Sequence, residues 1–246
     1  MSATIPDAVP AGGRAAPDRR PAARPHRYVG PPPIAPGGAF VGTFLLSLVV
    51  AATMSGGVFV PGKSVAELAA TVAEHATGLR LVAFLQFGSA VALAVLSASL
   101  VGMLLARGVR VAGVGIAAAG GLLSAAMSAL SALTTWVLAD GDVNGTPALV
   151  AALSRISFVT GGVGHVVFLG LLMAGVSVPC LLLRLTPRWI PWLGLALAGV
   201  ALLATLSLVL DPAGFLLPVA RFAGFVWVIA TTITLPRGEG RARPGQ

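Results

Sequence analysis

Six long apolar runs constrain this chain more than anything else in it. They cover Ala39–Val60, Val82–Leu105, Val111–Leu138, Phe158–Leu183, Trp189–Leu210 and Phe215–Leu235. A helix crossing the roughly 30 Å hydrocarbon layer needs ~20 mainly apolar residues, because each residue rises about 1.5 Å. Each run meets that length. The runs are continuous and not alternating, so spanning helices are expected in place of a β-barrel. The third run is long enough to require tilt or an end outside the lipid. Composition points the same way. Only 10% of the 246 residues are charged and 57% are hydrophobic, whereas a soluble domain carries about 25% charged residues. Such a surface could not face water, and such hydrophobicity excludes a disordered chain.

The breaks between runs are short. Arg107, Gly108 and Arg110 separate the second from the third, Arg184, Pro187 and Arg188 the fourth from the fifth, and Asp211, Pro212 and Gly214 the fifth from the sixth. Short hairpins make each pair antiparallel and adjacent. The expected fold is an all-α membrane protein. It is a six-transmembrane-helix bundle over 39–235, with a tail on either side at 1–38 and 236–246. The first tail holds nine of the 18 prolines and five arginines. It is read as disordered, and as too long and proline-rich for the start of a cleaved signal peptide.

The net charge is +8, with 16 basic and 8 acidic residues. The basic residues sit in tails and short loops and not along an aromatic-studded stripe, so a lipid bilayer is the expected partner and nucleic acid is not. Placement also sets orientation. With the N-terminus inside, the inner segments hold twelve of the 16 basic residues, and five of the 8 acids fall outside. The rule that Lys and Arg favour the cytoplasmic side then puts both termini in the cytoplasm of a bacterial plasma membrane.

The first outer loop has structure of its own. Ser64 followed by Glu67 is a capping-box signature, and Val65, Leu68, Val72, Ala76 and Leu79 recur at helical spacing. A short amphipathic helix is expected there, with Gly78 as its stop. In the second outer loop, Thr146–Pro147 reads as an N-cap with proline at the first helical position.

Polar residues inside the runs are the candidates for function, since a central Arg costs ~2.5–3.5 kcal/mol on insertion scales. Arg221 lies six residues into the last run, about 9 Å deep. One reading has it snorkel outward or pair with Asp211; the other makes it an anion-recognising group facing the interior. His165 follows Gly161–Gly162–Val163–Gly164, a stretch that lets another helix approach closely. It is read as an interhelical hydrogen-bond partner, with proton handling or ligand binding as the alternative. Together with Gln86, Arg80 and Arg155, these residues fall in the outer half of the bundle and would define a polar cavity if their helices were neighbours. Gly113, Ala117, Gly121 and Ala125 form a small-residue stripe. It suits close packing within the chain or, as the alternative, homo- or hetero-oligomerisation. Pro179 and Pro218 are expected to bend their spans, and Cys180 to be a small apolar filler.

No Asp or Glu lies within any run, which disfavours carboxylate-based ion coupling. There is no His-Glu-x-x-His motif, no P-loop and no complete dinucleotide fingerprint, so no cofactor is expected and no residue is assigned to catalysis. The order of short motifs is Val60–Pro61–Gly62, then Glu74, Leu79–Arg80–Leu81, Pro187–Arg188–Trp189–Ile190–Pro191–Trp192–Leu193–Gly194, Pro218 and Trp227. It resembles the bacterial domain-of-unknown-function family 4386 over roughly 39–235. That resemblance implies a multi-spanning membrane protein without a settled activity, substrate or cofactor. Its members often carry a glutamate where this chain has Arg221. Three functions are open at this point. The first is a non-enzymatic membrane module acting through partners or lipids. The others are a small carrier or receptor for an anionic or amphipathic molecule, and an intramembrane hydrolase using His165.

Overall fold

A computed structural model of the chain describes residues 30, 32–56 and 64–237. Most of the two expected tails and the Val60–Pro61–Gly62 motif lie outside the described residues. The helices are α1 (Ile34–Met54), α2 (Val65–Glu74), α3 (Ala76–Ala106), α4 (Ala112–Leu138), α5 (Gly141–Asn144), α6 (Pro147–Val159), α7 (His165–Leu182), α8 (Trp189–Leu203) and α9 (Leu216–Arg237). A π turn, Thr160–Gly164, joins α6 to α7 without a break, and 3-10 turns at Ala204–Leu208 and Asp211–Phe215 lie between α8 and α9. Among the described residues there is no strand, and six helical segments are long and apolar enough to cross a membrane. The protein is an all-α, six-helix, multi-pass membrane protein.

Consecutive spans pack side by side. α1 lies on α3, α3 on α4, α4 on α6 and α7, α7 on α8, and α8 on α9; α9 returns to α1 and closes the ring more loosely than the other seams. Large apolar side chains lie on both sides of the bundle: Trp227 and Phe40 are fully buried, yet others face outward and small polar residues are enclosed. Phe84, Phe158 and Trp192 are 73%, 62% and 61% exposed, while Ser47, Ser89 and Ser124 are fully buried. Lipid is as apolar as leucine, so large side chains gain nothing from leaving it, and helices associate through small residues and hydrogen bonds.

The turns explain where spans stop. At the end of α3, Gly108 takes a positive φ of 76°. Its N–H bonds to Leu105 O at 2.9 Å and that of Val109 to Leu104 O at 3.1 Å, a Schellman closure that satisfies the last carbonyls. Arg184 does the same work after α7, with φ 55° and Leu185 N–H on Cys180 O at 3.0 Å. A side chain there costs roughly 1–2 kcal/mol that glycine would avoid.

At the opposite end, the short helices form a cap. The capping box forms as expected: Ser64 N–H donates to Glu67 Oε2 at 2.9 Å, and Glu67 N–H to Ser64 Oγ at 3.3 Å. Val72 of α2, Leu79 of α3, Leu138 of α4 and Val150 of α6 then share a small apolar cluster.

Four local expectations change. α1 begins at Ile34, inside the expected tail, because Pro36 falls in its first turn, where a missing N–H costs nothing. α2 stops at Glu74 and not at Gly78. Gly78 instead lies within α3 against the Met54 backbone, where a Cβ would clash. The fourth span starts at Pro147 and runs to Leu182 through the π turn. Pro218 falls in the first turn of α9, a position that needs no bend.

Candidate functional site

The five singled-out residues separate into two groups. Arg80 is exposed at the capped end, where its Nη2 donates to Ala139 O at 3.3 Å; it places a cation at the C-terminus of α4, where the helix dipole favours one. Arg155 is exposed on α6, and Gln86 is half-buried on α3. His165 and Arg221 instead belong to one interior assembly.

Three pairs of residues spaced four apart meet in that assembly: Phe40 and Phe44 on α1, Gly161 and His165 across the π turn, and Arg221 and Phe225 on α9. Residues four apart on a helix share a face, one turn above the other. At one level, Arg221 Nη2 donates to Gly161 O, and its Cζ lies 5.2 Å from the centre of the Phe44 ring, a cation–π distance. One turn away, Phe40 lies 6.3 Å from the His165 ring and 5.4 Å from Phe225, the latter edge-on. Phe44 also meets Phe225 edge-on at 5.2 Å.

The π turn makes the Arg221 contact available. In a continuous α-helix the His165 N–H would bond to Gly161 O. Here it bonds to Thr160 O and Gly162 O, so the Gly161 carbonyl is released and accepts from Arg221. Single π turns of this kind are common at functional positions. The glycines keep the turn close to α4: a Cβ on Gly161 would strike Ser131, and one on Gly164 would lie 3.2 Å from Met127.

His165 bridges to α4. Its Nδ1 is 3.0 Å from Ser124 Oγ and 3.2 Å from Ser124 O, while Ser124 Oγ donates to His165 O at 2.9 Å. Carbonyl oxygens only accept, so the pattern assigns the proton to Nδ1 and leaves Nε2 as an acceptor. Nε2 is buried without a partner, as is Arg221 Nε.

Arg221 faces the interior, so it neither snorkels nor reaches Asp211. It is also deeper than its place in the sequence suggests. Phe44, its neighbour, is the middle residue of the 21-residue α1, about 15 Å from either end. The reason is the turn Asp211–Phe215, which extends the α9 rod by roughly 10 Å at 3-10 rise.

Several residues of this interior carry no sequence signal read above. Ser131 Oγ donates to Ser157 O at 2.8 Å, and Thr135 Oγ1 pairs with Ser157 Oγ at 2.7 Å, tying α4 to α6. Ser89 Oγ of α3 donates to Phe40 O at 2.8 Å. The i, i+4 spacing of Ser131 with Thr135, and of Phe40 with Phe44, was the available clue. The Gly113, Ala117, Gly121 stripe of α4 is covered within the chain. Gly175 of α7 lies on Gly113 and Ala117, and Ser97 of α3 lies on Gly121. Cys180 is buried, and among the described residues no group of three His, Cys, Asp or Glu is placed to hold a metal.

Comparison with protein-family models, curated proteins and solved structures finds no match to this chain.

Proposed function

We propose that this protein is a non-enzymatic module of a bacterial plasma membrane, with both termini cytoplasmic, that acts through lipids or protein partners. The observation that carries the reading is how the intramembrane polar groups are used. Ser89, Ser124, Ser131, Thr135, Ser157 and His165 all bond between helices, so they serve to hold the bundle together. No nucleophile among them is paired with a base oriented by a third group, the arrangement nucleophilic catalysis requires. The arginine-rich loops after α3 and α7 lie at the end opposite the cap, which supports a cytoplasmic assignment for that end. Because α3 and α7 already lie on the α4 stripe, partners would meet other faces. The broad apolar surfaces of α1 and α8, with Leu46 at 51% and Trp189 at 56% exposure, are open to them.

Crosslinking in native membranes, followed by native mass spectrometry of the extracted protein, tests this. Retained lipid or a reproducible protein partner is the expected result. A delipidated monomer with no crosslinked neighbour would contradict it.

A further inference from the structure

We infer that Arg221 is the anchor of a binding site for a monocarboxylate, set at mid-depth in the bundle where α1, the π turn and α9 cross. This goes beyond the module reading and does not depend on it.

Arg221 touches Phe44 and the Gly161 carbonyl, neither of which is ionisable, and the six apolar runs contain no Asp or Glu. A guanidinium in hydrocarbon without a counter-charge is costly. One carbonyl and one ring face satisfy only part of its five donors, and the Nε–H is buried with no acceptor. An anion would supply the missing charge and the missing acceptor together.

The class of anion follows from what surrounds the arginine. A single positive charge is balanced by a monoanion; a phosphate carrying more than one charge would leave net negative charge in the lipid interior. The guanidinium fork matches the two coplanar oxygens of a carboxylate better than a spherical halide. The rings of Phe44 and Phe225, packed edge-on at 5.2 Å, lie beside the guanidinium and suit a ligand with an apolar body. Arg221 is half-buried and lies on the α1–α9 seam, the loosest in the ring, which is where a ligand would enter. A mid-depth site between helices is also where carriers place their substrates.

The carboxylate could come from water or from the membrane, and the test separates the two sources. Thermal unfolding of the purified full chain in nanodiscs is followed at constant ionic strength while chloride is replaced by acetate or by hexanoate, with hexanol as the uncharged control. A saturable rise in midpoint on the order of 5 °C is expected well above the dissociation constant. A rise with both carboxylates identifies a water-borne acid as sufficient. A rise with hexanoate alone identifies an amphiphile entering from the membrane. Arg221→Gln should abolish the response, and Arg221→Lys, which keeps the charge and loses the fork, should weaken affinity about tenfold. If Arg221→Gln fails to fold, the Lys variant and the wild-type ion series still decide. Equal responses to chloride and carboxylate, an equal response to hexanol, no response to any anion, or an undiminished response in Arg221→Lys would each overturn the site. None of these results bears on whether lipid or partner is retained in crosslinking.

Discussion

The α4–α7 interface and the α1–α9 seam solve the same problem with opposite materials. At α4–α7, Gly120 sits under Leu171 Cβ and Leu172 N, both 2.6 Å from where a Cβ would be, and Gly113 faces the Gly175 carbonyl at 3.2 Å. Backbone meets backbone, and Ser124 and His165 add directed hydrogen bonds. At α1–α9 the contact is aromatic. Phe40, Phe44 and Phe225 pack edge to face, Arg221 lies over a ring, and Gly37 meets Thr232 at the far end. The first interface is rigid because nothing in it can move without losing close contact. The second is built from bulky side chains around one unbalanced charge, and it is the seam that can yield.

Substitutions can break or sharpen that contrast. The largest effect is expected from Gly175→Leu, because a side chain there meets the backbone of Ala117 and Gly113. Overpacking should cost about 3 kcal/mol or prevent folding. Gly115→Leu on the same α4 helix, where nothing lies within 4 Å, should change stability by less than about 0.5 kcal/mol. Denaturant titration in mixed micelles measures both, and equal costs would remove the distinction between covered and lipid-facing glycines.

Phe225→Ala at the seam should cost less, about 1–2 kcal/mol. Phe225 is 4% exposed, so truncation leaves a buried cavity and loses ring packing, but no transfer from water is undone in a membrane. If it proves more damaging than Gly175→Leu, the seam is the rigid interface and the comparison reverses. His165→Ala should cost about 1 kcal/mol, in line with interhelical hydrogen bonds in membranes, and Ser124→Ala in the same background should add less than it costs alone, because only its bond to the His165 backbone carbonyl remains to be lost. Additive losses in that double-mutant cycle would show that the two residues do not act as a pair. Smallest for the bundle is Ser64→Ala. It should remove about 1 kcal/mol from α2 alone, read as faster amide exchange over 65–74 with an unchanged midpoint for the six spans.

Much of the architecture was legible because hydropathy needs only length. The six runs, the arginine-marked turns and the Ser64–Glu67 box follow from one-dimensional rules. What escaped was three-dimensional. Gly78 looked like a helix stop, since a glycine in a loop and a glycine under another helix are identical in sequence; only the Met54 carbonyl above it tells them apart. The π turn was hidden in Gly161–Gly162–Val163–Gly164, where the glycines signalled close approach but not the altered hydrogen bonding that frees a carbonyl for Arg221. Equal depth in sequence did not mean a shared face either. Arg155 is exposed and Arg80 is taken up by the Ala139 carbonyl at the capped end, whereas His165 and Arg221 converge because α7 and α9 face each other across the ring.

The claim beneath all of this is that the chain crosses a bilayer six times and returns to the side on which it began. Paired reporters test it most directly: green fluorescent protein and alkaline phosphatase, each fused after Gln246 and, separately, within the α4–α6 connection after Asp142. The expected result is fluorescence without phosphatase activity at Gln246 and phosphatase activity without fluorescence at Asp142. Phosphatase activity at Gln246, or the same reporter active at both positions, would contradict it.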